Sequence, residues 1–286
     1  MFQIILNIYN KSPLKNILKP IKDKFIFKFC KEIILKGLAN EKMANVEIYK
    51  IQALLKLMRP IQSQFPLIRI GGENDGGYLI PDDFDGVKHC FSPGVGDQIS
   101  FDLDLASRGI HIFLADGSVE KPPSEHQLIS FKKKFIDVKN TDSSIRLDTW
   151  IDIKSPNEKD LILQMDIEGA EYRILKNLSN EYLLRFRIMA IEFHGLERLI
   201  YRHDFNYLDS VFKKILKFFD VVHIHPNNNE ACVKSNGIEI PPVMEFTFLR
   251  KDRVKERQFT VKFPHDLDQK NVTSKRDIFL PEIFYK

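Results

Sequence analysis

Cysteine is scarce in this chain of 286 residues. Cys30, Cys90 and Cys232 lie far apart, and no two share a CxxC spacing. That excludes a disulfide-stapled scaffold and a cysteine-rich zinc site, and it fits a reducing compartment. Glycine (13) and proline (14) are too few for a low-complexity or collagen-like chain. No uncharged apolar stretch approaches the roughly 18 residues that span a bilayer. The segment from Met1 to Tyr9 has neither a positively charged leader nor a small-residue cleavage site, so the expected location is cytoplasmic. Asn271-Val272-Thr273 fits a glycosylation acceptor pattern. Without an export signal the triplet reads as coincidence. Internal repeats are also lacking.

What is present is ordinary for a globular chain: 43% hydrophobic and 29% charged residues. The length fits two average domains, or one larger α/β domain with additions at its ends. The net charge of +4 conceals an asymmetry. Residues 1–60 hold 12 Lys and Arg against 4 Asp and Glu, whereas the remainder carries a balance of −4. The basic character belongs to an N-terminal arm, predicted helical over residues 1–60. Ile48, Ile51, Leu54, Leu55 and Met58 follow helical spacing there until Pro60 stops the run. The simplest reading of the arm is a solvated face. Two others stay open: peripheral contact with the inner face of a membrane, and packing on the body or on a second subunit in a homodimer. A nucleic-acid partner is not expected.

From residue 70 short apolar runs alternate with helical stretches. Strands are predicted over 87–91, 110–115, near 134–136, and over 161–165, 187–193, 221–225 and 243–249. Helices are predicted over 98–108 and 205–218. Strand–helix alternation makes a parallel sheet with helices on both faces. Only a loop with Asn227-Asn228-Asn229 separates the last two strands, so they pair antiparallel. The expected architecture is therefore α/β and Rossmann-like: seven strands, mostly parallel, with the last one reversed, as in a class I methyltransferase. Residues 61–250 form this domain, and residues 251–286 form a tail packed on it.

In such a sheet, ligands sit beyond the carboxyl ends of the strands. That rule selects Ser92 to Asp97, Asp116-Gly117, Asp166 to Glu168 and Glu192 to His194. Gly94 and Gly96 allow backbone to approach a ligand. The third glycine of a dinucleotide fingerprint would fall at position 99, which is Ile99, and this argues against NAD. Asp116 follows the next strand and suits the ribose hydroxyls of a nucleoside; the plainer reading is a turn aspartate. Gly71 to Tyr78, with four glycines in seven residues, reads as an ordered lip over a cofactor, bringing Asp75, Gly76 and Tyr78 to it. Glu168 and Glu171 can be first-turn acids complementing a helix dipole, a reading strongest for Glu171. Glu192 and His194 alternate about Phe193 and point to one side, where His194 joins carboxylates as a base or a metal ligand. His223 and His225 form an H-x-H pair without a local carboxylate cluster, so they read as structural.

Leu163-Gln164-Met165-Asp166-Ile167-Glu168-Gly169-Ala170-Glu171-Tyr172 closely resembles the signature of FkbM-type methyltransferases. Arg146 to Trp150 and Ile191 to His194 support the likeness, which spans roughly residues 70–250. One segment departs from it: that family is nearer to Asp-x-Gly-Ala-Asn-x-Gly after the first strand, where this chain has Ser92-Pro93-Gly94-Val95-Gly96-Asp97. The resemblance implies S-adenosylmethionine as methyl donor and an O-methyl product. The stretch from Arg69 to Tyr78 and the tail from Pro264 to Asp268 resemble a branch of capsule or lipooligosaccharide loci, which implies a sugar or nucleotide-sugar substrate.

The expected chemistry has His194 as base, with Asp166 and Glu192 beside it. A rival scheme has Asp166, Glu168, Glu192 and His194 holding Mg²⁺. The donor would rest on Asp75, Gly76, Tyr78, Ser92, Gly94, Gly96, Asp97, Asp116, Gly117 and Asp166. Alternatives are a non-catalytic binding module on the same fold and a small-molecule N- or O-methyltransferase.

Overall fold

The computed structural model describes residues 45–235 and 237–286. The helical expectation for residues 1–44 lies outside the described residues. Helix α1 (Ile48–Leu57) buries Ile51, Leu54 and Leu55 at helical spacing and ends shortly before Pro60. Next comes a hairpin of Leu67–Ile70 with Tyr78–Pro81. The sheet strands follow, with helices between all but β2–β3 and β6–β7: β1 (His89–Pro93), α2 (Ser100–Ser107), β2 (His111–Ala115), β3 (Ile129–Lys132), α3 (Leu147–Lys154), β4 (Leu161–Met165), α4 (Glu171–Asn177), β5 (Phe186–His194), α5 (Arg202–Leu216), β6 (Phe219–Pro226) and β7 (Val243–Arg250).

The seven strands lie in the order β6-β7-β5-β4-β1-β2-β3. All neighbouring pairs are parallel except those of β7, which runs antiparallel to both β5 and β6. This is the seven-stranded Rossmann-like sheet of class I methyltransferases, with one reversed strand. The third strand differs from expectation. Phe135–Ile136 pairs with Ser144–Ile145 in a separate two-stranded piece, and the sheet strand is Ile129–Lys132. The reason is its exposure: every residue of Ile129–Lys132 is only half-buried, so no apolar run marks it.

Strand alternation divides the core. Phe91, Leu163 and Ile191 face one side, packed with α1, α3, α4 and α5. Cys90, Ile162 and Ala190 face the other, packed with α2 and the hairpin. The central strand β4 is buried throughout, which is why it reads as an apolar run broken only by Gln164. Burying each such side chain contributes about 1.5–3 kcal/mol. The tail threads over the domain. Gln258–Phe259 pairs with Ile61–Gln62, and Phe284 enters the core with no exposure.

Candidate active site

A cavity of about 410 Å³ opens at the carboxyl ends of β1, β2 and β4. The hairpin turn supplies Asp75, Gly76 and Tyr78 to its wall, and the loop after β1 supplies Gly94, Gly96 and Asp97. Asp116 and Asp166 of the expected donor set line it too, as does Glu168, expected only as a metal ligand. Ser92 and Gly117 do not line it. Ser92 is buried beneath, its hydroxyl donating to Gln164 Oε1 at 2.6 Å. Gly117 makes room for Phe135: a Cβ there would lie 2.4 Å from that ring, and Phe135 lines the cavity instead.

Gly94 is a glycine for a reason the sequence did not disclose. Its φ is +91°, and a Cβ would fall 1.6 Å from the Asp166 carbonyl oxygen. The tips of β1 and β4 therefore touch through this residue, and a neighbouring strand rather than a ligand demands the glycine. Asp116 also acts first on the protein. Its Oδ2 accepts from the Val95 amide at 2.9 Å and the Gly96 amide at 3.3 Å. Its Oδ1 accepts from the Ser118 amide at 2.7 Å and the Ser118 hydroxyl at 2.6 Å. Burial works to raise this carboxyl, but these donors outweigh it and hold Asp116 below its ordinary value.

Beside the cavity, carboxylates converge on one imidazole. His194 Nε2 lies 3.4 Å from Glu192 Oε1, 3.6 Å from Glu168 Oε2 and 3.8 Å from Asp166 Oδ1. Its Nδ1 lies 3.4 Å from Glu171 Oε1. Burial works against the imidazolium, yet Glu171, Asp166 and Glu168 together raise the His194 pKa. Burial pushes Asp166 up to about 7, and the neighbouring Glu168 and Asp75 add to the rise. Glu192 is raised well above its ordinary value by burial, then by Asp166 and Glu245. The group is therefore rich in carboxyls that compete for few cations.

Glu171 is more than a first-turn acid. It is fully buried, and its Oε1 accepts from the Ile167 and Gly169 amides at 3.1 Å each. Glu168, with φ +56°, and Gly169, with φ +92°, turn the backbone so that these amides face Glu171. Two successive left-handed residues are needed, and helical periodicity carries no mark of them.

A polar stripe runs under the hairpin along one sheet face. Ser92, Gln164, Glu192 and Glu245 lie on adjacent strands, with Glu192 and Glu245 in direct register. Gln164 Nε2 donates to the Tyr78 hydroxyl at 3.3 Å. Asn227 Nδ2 donates to both Glu192 oxygens at 3.3 Å, so the turn after β6 belongs to the site. Asn271, from the tail, donates to Glu245 at 2.7 Å and to Asp75 at 3.1 Å. It is buried, which removes it as a glycosylation acceptor. Asn271 was legible only as a sequon, and its partners lie 26 and 196 residues away.

His223 and His225 acquire a carboxylate from the tail. His223 Nε2 lies 2.8 Å from Asp268 Oδ1, and His225 Nδ1 lies 3.7 Å from it. Asp268 also accepts from the His265 amide at 2.7 Å. The local absence of acids does not hold in space, but the arrangement is a clasp that fastens the tail.

The family model of the methyltransferase FkbM domain matches residues 91–228, from β1 through the turn after β6. The match supports the resemblance drawn from Leu163 to Tyr172 and, with the sheet order, supports S-adenosylmethionine-dependent methylation. No curated protein matches the chain. Among solved structures, fibrillarin in its complex with Nop5p is 12% identical, over 58% of this chain and 73% of that one, with a TM-score of 0.34. The N-terminal domain of EvdMO1, solved with S-adenosylhomocysteine, is 13% identical over 72% and 97%, with a TM-score of 0.34. Magnesium protoporphyrin IX methyltransferase from Synechocystis, solved with S-adenosylmethionine, is 10% identical over 87% and 96%, with a TM-score of 0.29.

Proposed function

We propose that this chain is an O-methyltransferase that uses S-adenosylmethionine and acts on a sugar hydroxyl, on a nucleotide-activated sugar of capsule or lipooligosaccharide assembly. The observation that carries the reading is the convergence of Asp166, Glu168, Glu171 and Glu192 on His194, beside a cavity floored by a glycine loop. The cavity volume falls in the range of small-molecule sites, about 300–1,000 Å³. Its glycine loop is already fixed by Asp116, and Phe135 offers an aromatic face. These features fit a nucleoside-containing donor.

S-adenosylmethionine, when bound, supplies a methyl group activated by a sulfonium. The residues of this chain have two tasks. The first is to align the acceptor oxygen, worth up to roughly 10 kcal/mol of the barrier. The second is to take the hydroxyl proton. His194 Nε2 receives it, and Glu171, fixed by two amides, faces the ring 3.4 Å from Nδ1. A base whose pKa is raised toward the working pH suits this role. Glu171 and Glu168, which raise the His194 pKa, stabilise the resulting imidazolium.

A second reading rests on the same residues. Asp166, Glu192 and His194 offer donor atoms within 4.8 Å of one another, a set that suits a divalent cation such as Mg²⁺. Such an ion would lower the pKa of the acceptor hydroxyl.

Two measurements test the function. Calorimetric titration should show binding of S-adenosylhomocysteine and none of NAD; no binding of either sinks the donor assignment. With a nucleotide-sugar acceptor, His194→Ala should lose about 10²- to 10⁴-fold in turnover with donor affinity unchanged. Full turnover in that variant removes His194 as base. Complete loss of wild-type activity in a chelator, restored by Mg²⁺, favours the metal reading.

A further inference from the structure

Asp102 is a buried acid outside the His194 group. It is 5% exposed and lies on α2, one turn after Ile99 and one turn before Leu105 and Ala106. This spacing places it on the apolar stripe that packs against the sheet, where a carboxyl is costly. It also lines the cavity. Its Oδ1 is buried without a hydrogen-bond partner. The adjacent Ser92 hydroxyl has a single proton, which goes to Gln164 Oε1. The titratable neighbour facing it from β1 is the Cys90 thiol, itself raised by burial and by Asp102. Among the described residues no basic side chain pairs with it, and burial pushes it up to about 7.

Asp102 lines a ligand cavity while one of its oxygens is buried without a donor, so the carboxyl has an unmet requirement for an N–H or O–H that a ligand can supply. We propose that Asp102 is a donor-recognition residue that receives the ammonium group at the amino-acid end of the methyl donor. The inference rests on the donor reading above. The sulfonium does not meet the requirement, because it has no hydrogen to donate. An ammonium has three, and it brings the positive charge that lets Asp102 ionise in place. Binding then exchanges a proton for a charge pair: the neutral Asp102 carboxyl releases its proton to solvent, and the carboxylate accepts from the ammonium.

The test uses two neutral-sulfur ligands. S-adenosylhomocysteine carries the ammonium; 5′-methylthioadenosine keeps the nucleoside and thioether but lacks the amino-acid end. Asp102→Asn should weaken binding of S-adenosylhomocysteine about 10- to 100-fold, the loss of one charged hydrogen bond, and leave 5′-methylthioadenosine unchanged. Binding enthalpies at pH 6, in buffers of different ionisation enthalpy, should show the wild type releasing most of one proton more than Asp102→Asn. Thermal melting checks that the variant is folded. If the variant binds S-adenosylhomocysteine as the wild type does, or loses both ligands alike, or if the two proteins release equal protons, Asp102 does not receive the ammonium. If the wild type binds neither ligand, the donor reading itself fails.

Discussion

Two groups of carboxylates meet at the same edge of this sheet and are treated in opposite ways. At the glycine loop, Asp116 is surrounded by donors: three backbone amides and a hydroxyl close on its two oxygens. Under the hairpin, Asp102, Glu192 and Glu245 are buried with few donors, and their pKa values are all raised. Asp116 is an anion that the fold uses to hold its own loop. The acids under the hairpin are held at a cost, and a ligand or a proton must relieve it. The loop side is thus finished as folded. The hairpin side is completed by what binds.

Gly94 joins the two sides, so substituting it gives the largest expected effect. Gly94→Ala places a methyl 1.6 Å from the Asp166 carbonyl and must part β1 from β4. The expected destabilisation is about 3 kcal/mol or more, read by denaturant unfolding. A loss under 1 kcal/mol would mean that the tips are not in firm contact. Asp116→Asn comes next. It exchanges an oxygen that accepts from amides for a donor facing them, and should cost about 2 kcal/mol. If stability is unchanged, Asp116 does not organise the loop.

The smallest effect has the opposite sign and sharpens the contrast most. Asp102 has a folded pKa of about 7, above its ordinary 3.8. Between those values the folded state binds more protons than the unfolded state, so this group makes stability fall as pH rises through that window. Asp102→Asn should therefore stabilise the ligand-free protein at pH 8, by on the order of 1 kcal/mol, and change little at pH 4. Melting curves at the two pH values decide it. Destabilisation at pH 8 would place Asp102 with Asp116, as an acid the fold needs charged.

Much of the frame was readable along the chain. Leu161 to Met165 is a strand with the expected bounds because its residues are all buried and all but Gln164 are apolar. The reversal of β7 followed from the lack of a helical pattern between the last two strands. The half-buried third strand was missed because its apolar residues, Ile129 and Phe131, alternate with Ser130 and Lys132 and form no run. Glu192 and His194 share a side because strand alternation requires it. Glu171, by contrast, looked like an ordinary first-turn acid, and only the turn at Glu168 and Gly169 brings amides to it. The partner of His223 lies 45 residues away, beyond any local pattern.

The sequence alone therefore determined the periodicities, the order of elements and the chemistry available at the strand ends, because these depend on near neighbours and on hydrophobic repeat. Which acids are satisfied and which are not was decided by the tertiary structure. A carboxylate is stabilised by the donors that reach it and destabilised by the water it loses, and both come from segments that the fold alone brings together. Asp102 and Asp116 are the same residue type in the sequence; burial, a glycine loop and a neighbouring helix make one a receptor and the other a strut.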